Sequence, residues 1–269
     1  MYFLKGNPVP KCHWALALSL MWFMSSAQAA EINVAVASNF VNPAKIIAAQ
    51  FTDATTQVVN ISSGSTGKLY SQITNGAPFD VFLAANAREP ERLETEGNAV
   101  AGSRFTYAVG KLVLWSAAAN RVQGDCEAVL RKMDYTKLAI ANPDTAPYGR
   151  QAANALESLA LYSRLGKKLI IGSNIGQTFQ FVSSHNVELG IVSLSQVIDP
   201  NNRNPGSYCL IPDELYQPLV QQAVLLQHGA GNDTAREFLA YLQSRKVHDL
   251  ILGYGYGLPT IEQASEHVR

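Results

Sequence analysis

The sequence predicts an α/β protein of two lobes, each a mixed sheet flanked by helices. Two observations carry this. Short Val/Ile/Leu-rich runs alternate with segments of helical period through most of the 269 residues, the pattern of a parallel or mixed sheet covered on both faces. The alternation then stops in a tail that reads as helix alone, so the chain leaves one lobe, builds a second and returns.

The first 29 residues read as an address and not as structure. Lys5 and Lys11 are followed by an apolar stretch, 14–24, and by Ala27-Gln28-Ala29, a small-x-small cleavage pattern. Cys12 precedes the apolar stretch, whereas a lipid-modified cysteine would follow it. The mature protein is expected to be a soluble periplasmic one.

Eight segments then read as strands, at 32–37, 58–61, 80–84, 112–116, 138–141, 168–171, 189–193 and 223–227. Helices are expected at 43–52, 68–74, 89–96, 149–161 and 177–184. Asn42 is placed to cap the first of these and Pro43 to occupy its opening turn, where no N–H is needed. Asn75-Gly76 supplies a left-handed stop to the second. The tail helices lie at 234–245 and 247–252. Crossings near 110–115 and 221–228 divide the chain into lobe I (30–110 and 229–269) and lobe II (111–228).

Without residues 1–29 there remain 19 basic and 21 acidic side chains, a net charge near −2. That argues against a nucleic-acid or membrane-surface partner, which favours a basic patch. No repeat or low-complexity tract occurs. Cys126 and Cys209 are left, and in an oxidising compartment they form a disulfide or stay as two buried thiols.

Ligands of open α/β sheets bind where strands end and helices begin. Four junctions are built alike, from small polar residues and glycine. They are Ser38-Asn39, Ser65-Thr66-Gly67, the stretch 142–149 (Asn-Pro-Asp-Thr-Ala-Pro-Tyr-Gly) and Ser173-Asn174-Ile175-Gly176-Gln177. Each offers unpaired N–H groups at a positive helix end, and none places Lys or Arg at the contact point. Singly, these are ordinary caps and turns. Together they point to a small anion held by neutral donors. Gly64-Ser65-Thr66-Gly67-Lys68 lacks the spacing of a nucleotide phosphate loop. No nucleophile elbow appears, and the histidines lack metal-ligand spacing.

Ala37-Ser38-Asn39-Phe40, the stretch 63–70 (Ser-Gly-Ser-Thr-Gly-Lys-Leu-Tyr), 75–82 (Asn-Gly-Ala-Pro-Phe-Asp-Val-Phe), 103–115 and 141–149 together resemble the periplasmic molybdate-binding proteins of ABC transporters. The resemblance runs from about residue 31 to the Gly-Tyr-Gly tail. It implies the two-lobed type II solute-binding fold, with molybdate or tungstate in the cleft, delivery to a membrane permease, no cofactor, and a monomer. By motif, Ser38 and Thr66 supply hydroxyls, with Ser65 the alternative beside Thr66. Asn39, Tyr148 and Ile175 supply main-chain N–H groups. Where some members place a ligand-binding tyrosine, this chain has Ser193.

The chemistry agrees independently. A fully deprotonated tetrahedral dianion offers only acceptors, so a donor-only site suits it. Phosphate near neutral pH keeps a proton that such a site leaves facing another donor, at a cost of about 1–3 kcal/mol. Two other readings are an exported hydrolase using a cleft serine, which lacks a placed base, and a ligand-sensing subunit, which would use the same lobes.

Overall fold

The computed structural model describes residues 1–3, 6 and 30–258; nearly all of the expected signal segment 1–29, and 259–269, lie outside them. In chain order come β1 (Glu31–Ala37), a 3-10 turn and α1 (Val41–Thr55), β2 (Val58–Gly64), α2 (Thr66–Thr74), β3 (Val81–Leu83) and α3 (Arg88–Thr95). Next are β4 (Phe105–Gly110), β5 (Leu112–Ser116), α4 (Cys126–Lys132), β6 (Leu138–Ala141), α5 (Pro147–Ser158), α6 (Tyr162–Leu165) and β7 (Leu169–Gly172). The chain closes with α7 (Ile175–Ser183), β8 (Leu189–Ser193), α8 (Leu194–Val197), β9 (Ser207–Leu210), β10 (Leu219–Leu225), α9 (Asp233–Leu242) and α10 (Arg245–Gly253).

These strands make two five-stranded sheets, ordered β2-β1-β3-β10-β4 and β7-β6-β8-β5-β9. Both follow one plan. A parallel trio (β2, β1, β3 or β7, β6, β8) is extended by two antiparallel strands. In β1 the alternating side chains go to opposite faces. Ile32, Val34 and Val36 pack with Phe40, Ile47, Phe51 and Phe238. Ala35 packs on the other side with Leu69, Phe82 and Leu93. The second sheet has its own core, in which Trp115 of β5 stacks on Phe179 of α7 at 4.6 Å.

Five elements escape the sequence reading: β4, α4, β9 and the one-turn helices α6 and α8. Another, β10, is displaced, with a consequence for the lobes. β10 lies between β3 and β4 in the first sheet, so the return crossing runs through 211–218 and not 221–228, and 219–228 belong to lobe I. The physical reason is Gln221 and Gln222. They interrupt the apolar pattern of the strand, yet both are buried and hydrogen-bonded at a register shift. The two crossings are tied together, because the Tyr216 hydroxyl accepts from the Leu112 N–H (3.3 Å) and donates to Asp213 Oδ1 (2.9 Å). Asn42 does not cap α1. Its Nδ2 donates across the lobes to Asp199 Oδ2 at 2.5 Å. Cys126 and Cys209 form a disulfide between α4 and the edge strand β9, with their Cα atoms 5.6 Å apart.

Candidate functional site

Parallel pairing levels the ends of the strands. Ala37 is opposite Gly64 and Ala141 opposite Gly172, so Ser38 follows one strand beside Ser65, and Asn142 another beside Ser173. The helices that follow point their N-termini at one space between the lobes. That space is bordered by Ser38, Asn39, Ser65 and Thr66 from one lobe and Tyr148 and Ile175 from the other. The six residues singled out in the sequence thus come together. Ala85, which follows β3, joins them and was not anticipated. Its own sequence neighbourhood carries no hydroxyl or glycine to mark it.

The enclosed volume is small, ≈ 10 Å³, far below the roughly 300–1,000 Å³ typical of organic-ligand pockets. It suits a compact inorganic ion. A larger cleft of ≈ 680 Å³ shares Ser38 and Asn39 with it and is lined mainly by Ser, Asn and Gln from both lobes.

The hydroxyls have distinct partners. Ser65 is the N-cap residue of α2, yet its side chain caps nothing. Its Oγ is buried and has no hydrogen-bond partner. Thr66 Oγ1 accepts from the Ala85 N–H at 3.0 Å, which leaves its own proton to give. Ser38 Oγ donates to the Gly64 carbonyl at 2.9 Å, linking the first two junctions. Ala146, which precedes α5, has no side chain to cap with, and Pro147 begins the helix. Of the four helices at these junctions only α7 is capped, by Asn174 Oδ1 accepting from the Gln177 N–H at 2.9 Å. First-turn N–H groups lack intrahelical partners, and here three of four helix starts have no side-chain acceptor for them.

Among the described residues no charged side chain borders the seat. Lys68 lies on the exposed face of α2. Ser193 lies outside the seat too. It is fully buried and makes a capping box with Gln196 at α8. The lobes approach closely at Gly67, whose N–H donates to the Thr145 carbonyl at 2.8 Å. A Cβ there would stand 3.0 Å from that oxygen.

Sequence reasoning missed the layer behind the seat. Asn39, Gln221, Tyr107, Tyr148, Tyr256 and Ser195 form a continuous buried hydrogen-bonded set. Burial raises the three phenols well above their ordinary pKa, so they stay neutral. Nothing in the local pattern marks Gln221, Tyr107 and Ser195 as partners in this set, since its members come from distant parts of the chain.

The model of the bacterial extracellular solute-binding proteins matches residues 32–257. The chain belongs to that family. Within the solute-binding family it is 50% identical over 243 residues to the molybdate-binding protein ModA of Azotobacter vinelandii, covering 90% of this chain and 96% of that one. It is 44% identical to the ModA of Rhodobacter capsulatus, covering 90% of this chain and 94% of the relative. The solved Azotobacter vinelandii periplasmic molybdate-binding protein superposes with a TM-score of 0.82 and 38% identity, covering 85% of this chain and all of that one. The sulfate-binding protein SubI of Mycobacterium tuberculosis, at 11% identity and a TM-score of 0.70, shares the fold.

Proposed function

We propose that this protein captures molybdate or tungstate between its lobes in the periplasm, as a monomer, and delivers it to the permease of an ABC transporter. The observation that carries the reading is the donor chemistry of the seat. A buried, unpartnered Ser65 hydroxyl stands among uncapped helix N-termini from both lobes, with no charged side chain on the lining. Such a seat fits a ligand that has acceptors only, and dipoles can meet its charge without a counter-ion. The identity to relatives named molybdate-binding proteins supports the metal oxyanion over other tetrahedral anions. Ser65 and Thr66 are assigned as hydroxyl donors, Ser38 as a third once its proton turns from the Gly64 carbonyl to the anion, and Asn39, Tyr148 and Ile175 as main-chain donors. A hydrolase would need a base beside one of these serines, and none lines the seat.

Native mass spectrometry tests this. Protein purified from medium holding equal molybdate, tungstate, sulfate and phosphate is expected to carry one molybdate or tungstate per chain. A chain loaded with phosphate or sulfate instead would defeat the proposal.

A further inference from the structure

Gln221 does not border the seat, yet it is joined to residues that do. It is fully buried on β10, at the register shift against β4. Its Oε1 accepts from Asn39 Nδ2 at 2.8 Å and from the Tyr107 hydroxyl at 3.2 Å. The Tyr107 proton is shared with the Ala84 carbonyl at 3.1 Å, and Nε2 of Gln221 faces the Tyr148 hydroxyl and donates to it at 3.2 Å. One side chain therefore holds both Asn39, two residues after β1 in the first lobe, and the helix start of α5 in the second.

The surroundings leave little freedom. Asn39 Nδ2 also reaches the Tyr256 hydroxyl at 3.0 Å, which donates back to the Asn39 carbonyl at 2.9 Å. The Tyr148 hydroxyl is wedged against the crossing at Gly110, where a Cβ would stand only 2.0 Å from it. Gly110 is thus a glycine because the phenol occupies the space of its missing side chain.

We propose that Gln221, acting through the Tyr148 hydroxyl and the Asn39 amide, is the positioning residue that sets the anion-binding main chain of one lobe against that of the other. This rests on reading the seat as an oxyanion site. Because Gln221 touches no ligand, its effect falls on the geometry of the seat and is the same for every oxyanion that enters. A contact residue would instead change the preference among them.

The test compares unmodified protein, Tyr148→Phe, Gln221→Met and the double variant by calorimetric titration with molybdate, tungstate and sulfate. Hydrogen exchange of the Asn39 and Tyr148 amides is measured without ligand, and the unliganded Tm confirms folding. Tyr148→Phe keeps the ring and the main chain, so it reports even where Gln221→Met does not fold. Each single variant is expected to weaken every oxyanion that binds by one common factor, about 5- to 10-fold, the scale of a neutral hydrogen bond. The double variant should be no weaker than the weaker single one, and exchange at both amides should quicken in each folded variant. Unchanged exchange, unequal factors among the oxyanions, or additive losses would overturn the proposal. If unmodified protein binds none of the three anions, the functional reading fails, and the exchange measurement still decides the role of Gln221.

Discussion

Ser65 and Thr66 are adjacent in sequence and alike in chemistry, but the fold gives them different tasks. Ser65 Oγ has no partner to lose, so Ser65→Ala should leave the unliganded Tm unchanged while weakening oxyanion binding by about 10- to 150-fold. That range corresponds to one hydrogen bond to a charged group. Thr66→Val also strips the acceptor from the Ala85 N–H, so it should lower both affinity and unliganded stability, the latter by about 1–3 kcal/mol. Lys68→Ala should change neither. Titration and thermal melts of the three variants separate these effects, and Lys68→Ala abolishing binding would refute a neutral-donor seat. The pH response follows from the same residues. Burial pushes the phenols of Tyr107, Tyr148 and Tyr256 up, so each keeps its proton and its donor role far above neutrality. Affinity for a dianion should therefore be flat from about pH 6 to about pH 9, where an exposed tyrosine is also still protonated. A fall in affinity within that range would show a titrating group at the seat. The four junctions are legible in the sequence, because hydroxyls and glycines at strand ends have a local signature, whereas the six proposed contact residues within them are implied by the family resemblance. The choice between Ser65 and Thr66 is not legible, because it depends on the distant Ala85.

At the level of elements, burial on both faces makes β6 and β8 legible, while β2 and β7, half-buried or exposed along most of their length, are legible from their Val and Ile content. β6 reads Leu-Ala-Ile-Ala and β8 Leu-Gly-Ile-Val-Ser, and every residue of each is buried. The edge strand β9 alternates between half-buried and exposed over four residues, too short for its period to register. β10 is masked by buried glutamines whose partners lie far away in sequence. Two glycines test how the elements meet. A Cβ on Gly149 would stand 2.3 Å from the Ala141 carbonyl within the second lobe, so Gly149→Ala should destabilise the unliganded protein by about 1–3 kcal/mol. A Cβ on Gly67 would press instead on Thr145 across the lobes. Gly67→Ala should leave the unliganded Tm intact and weaken binding, because only the closed arrangement is crowded. Equal melting losses in both variants, read by calorimetry, would mean that the Gly67 contact is not one made by lobe closure.

For the whole molecule, two sheets of one plan, joined by crossings at 110–112 and 211–218, bring four positive helix ends to one point. Neither lobe alone makes the seat, so the lobes are expected to approach as the anion binds, as in hinged ligand-binding proteins generally. Charge selection without a cationic side chain would also explain how residues 30–269 can carry a net charge near −2 and still bind an anion: local dipoles and hydrogen bonds outweigh the long-range field, which salt screens. The proposed function turns on one property, that this neutral, donor-only seat selects a fully deprotonated metal oxyanion over one that keeps a proton. Competitive calorimetric titration of a single protein sample with molybdate and with phosphate near neutral pH reads that property itself. Saturation by one molybdate per chain is expected, with phosphate weaker by about 10-fold or more, the scale of one mispaired buried proton. Phosphate binding as tightly as molybdate would mean that the seat does not discriminate by protonation.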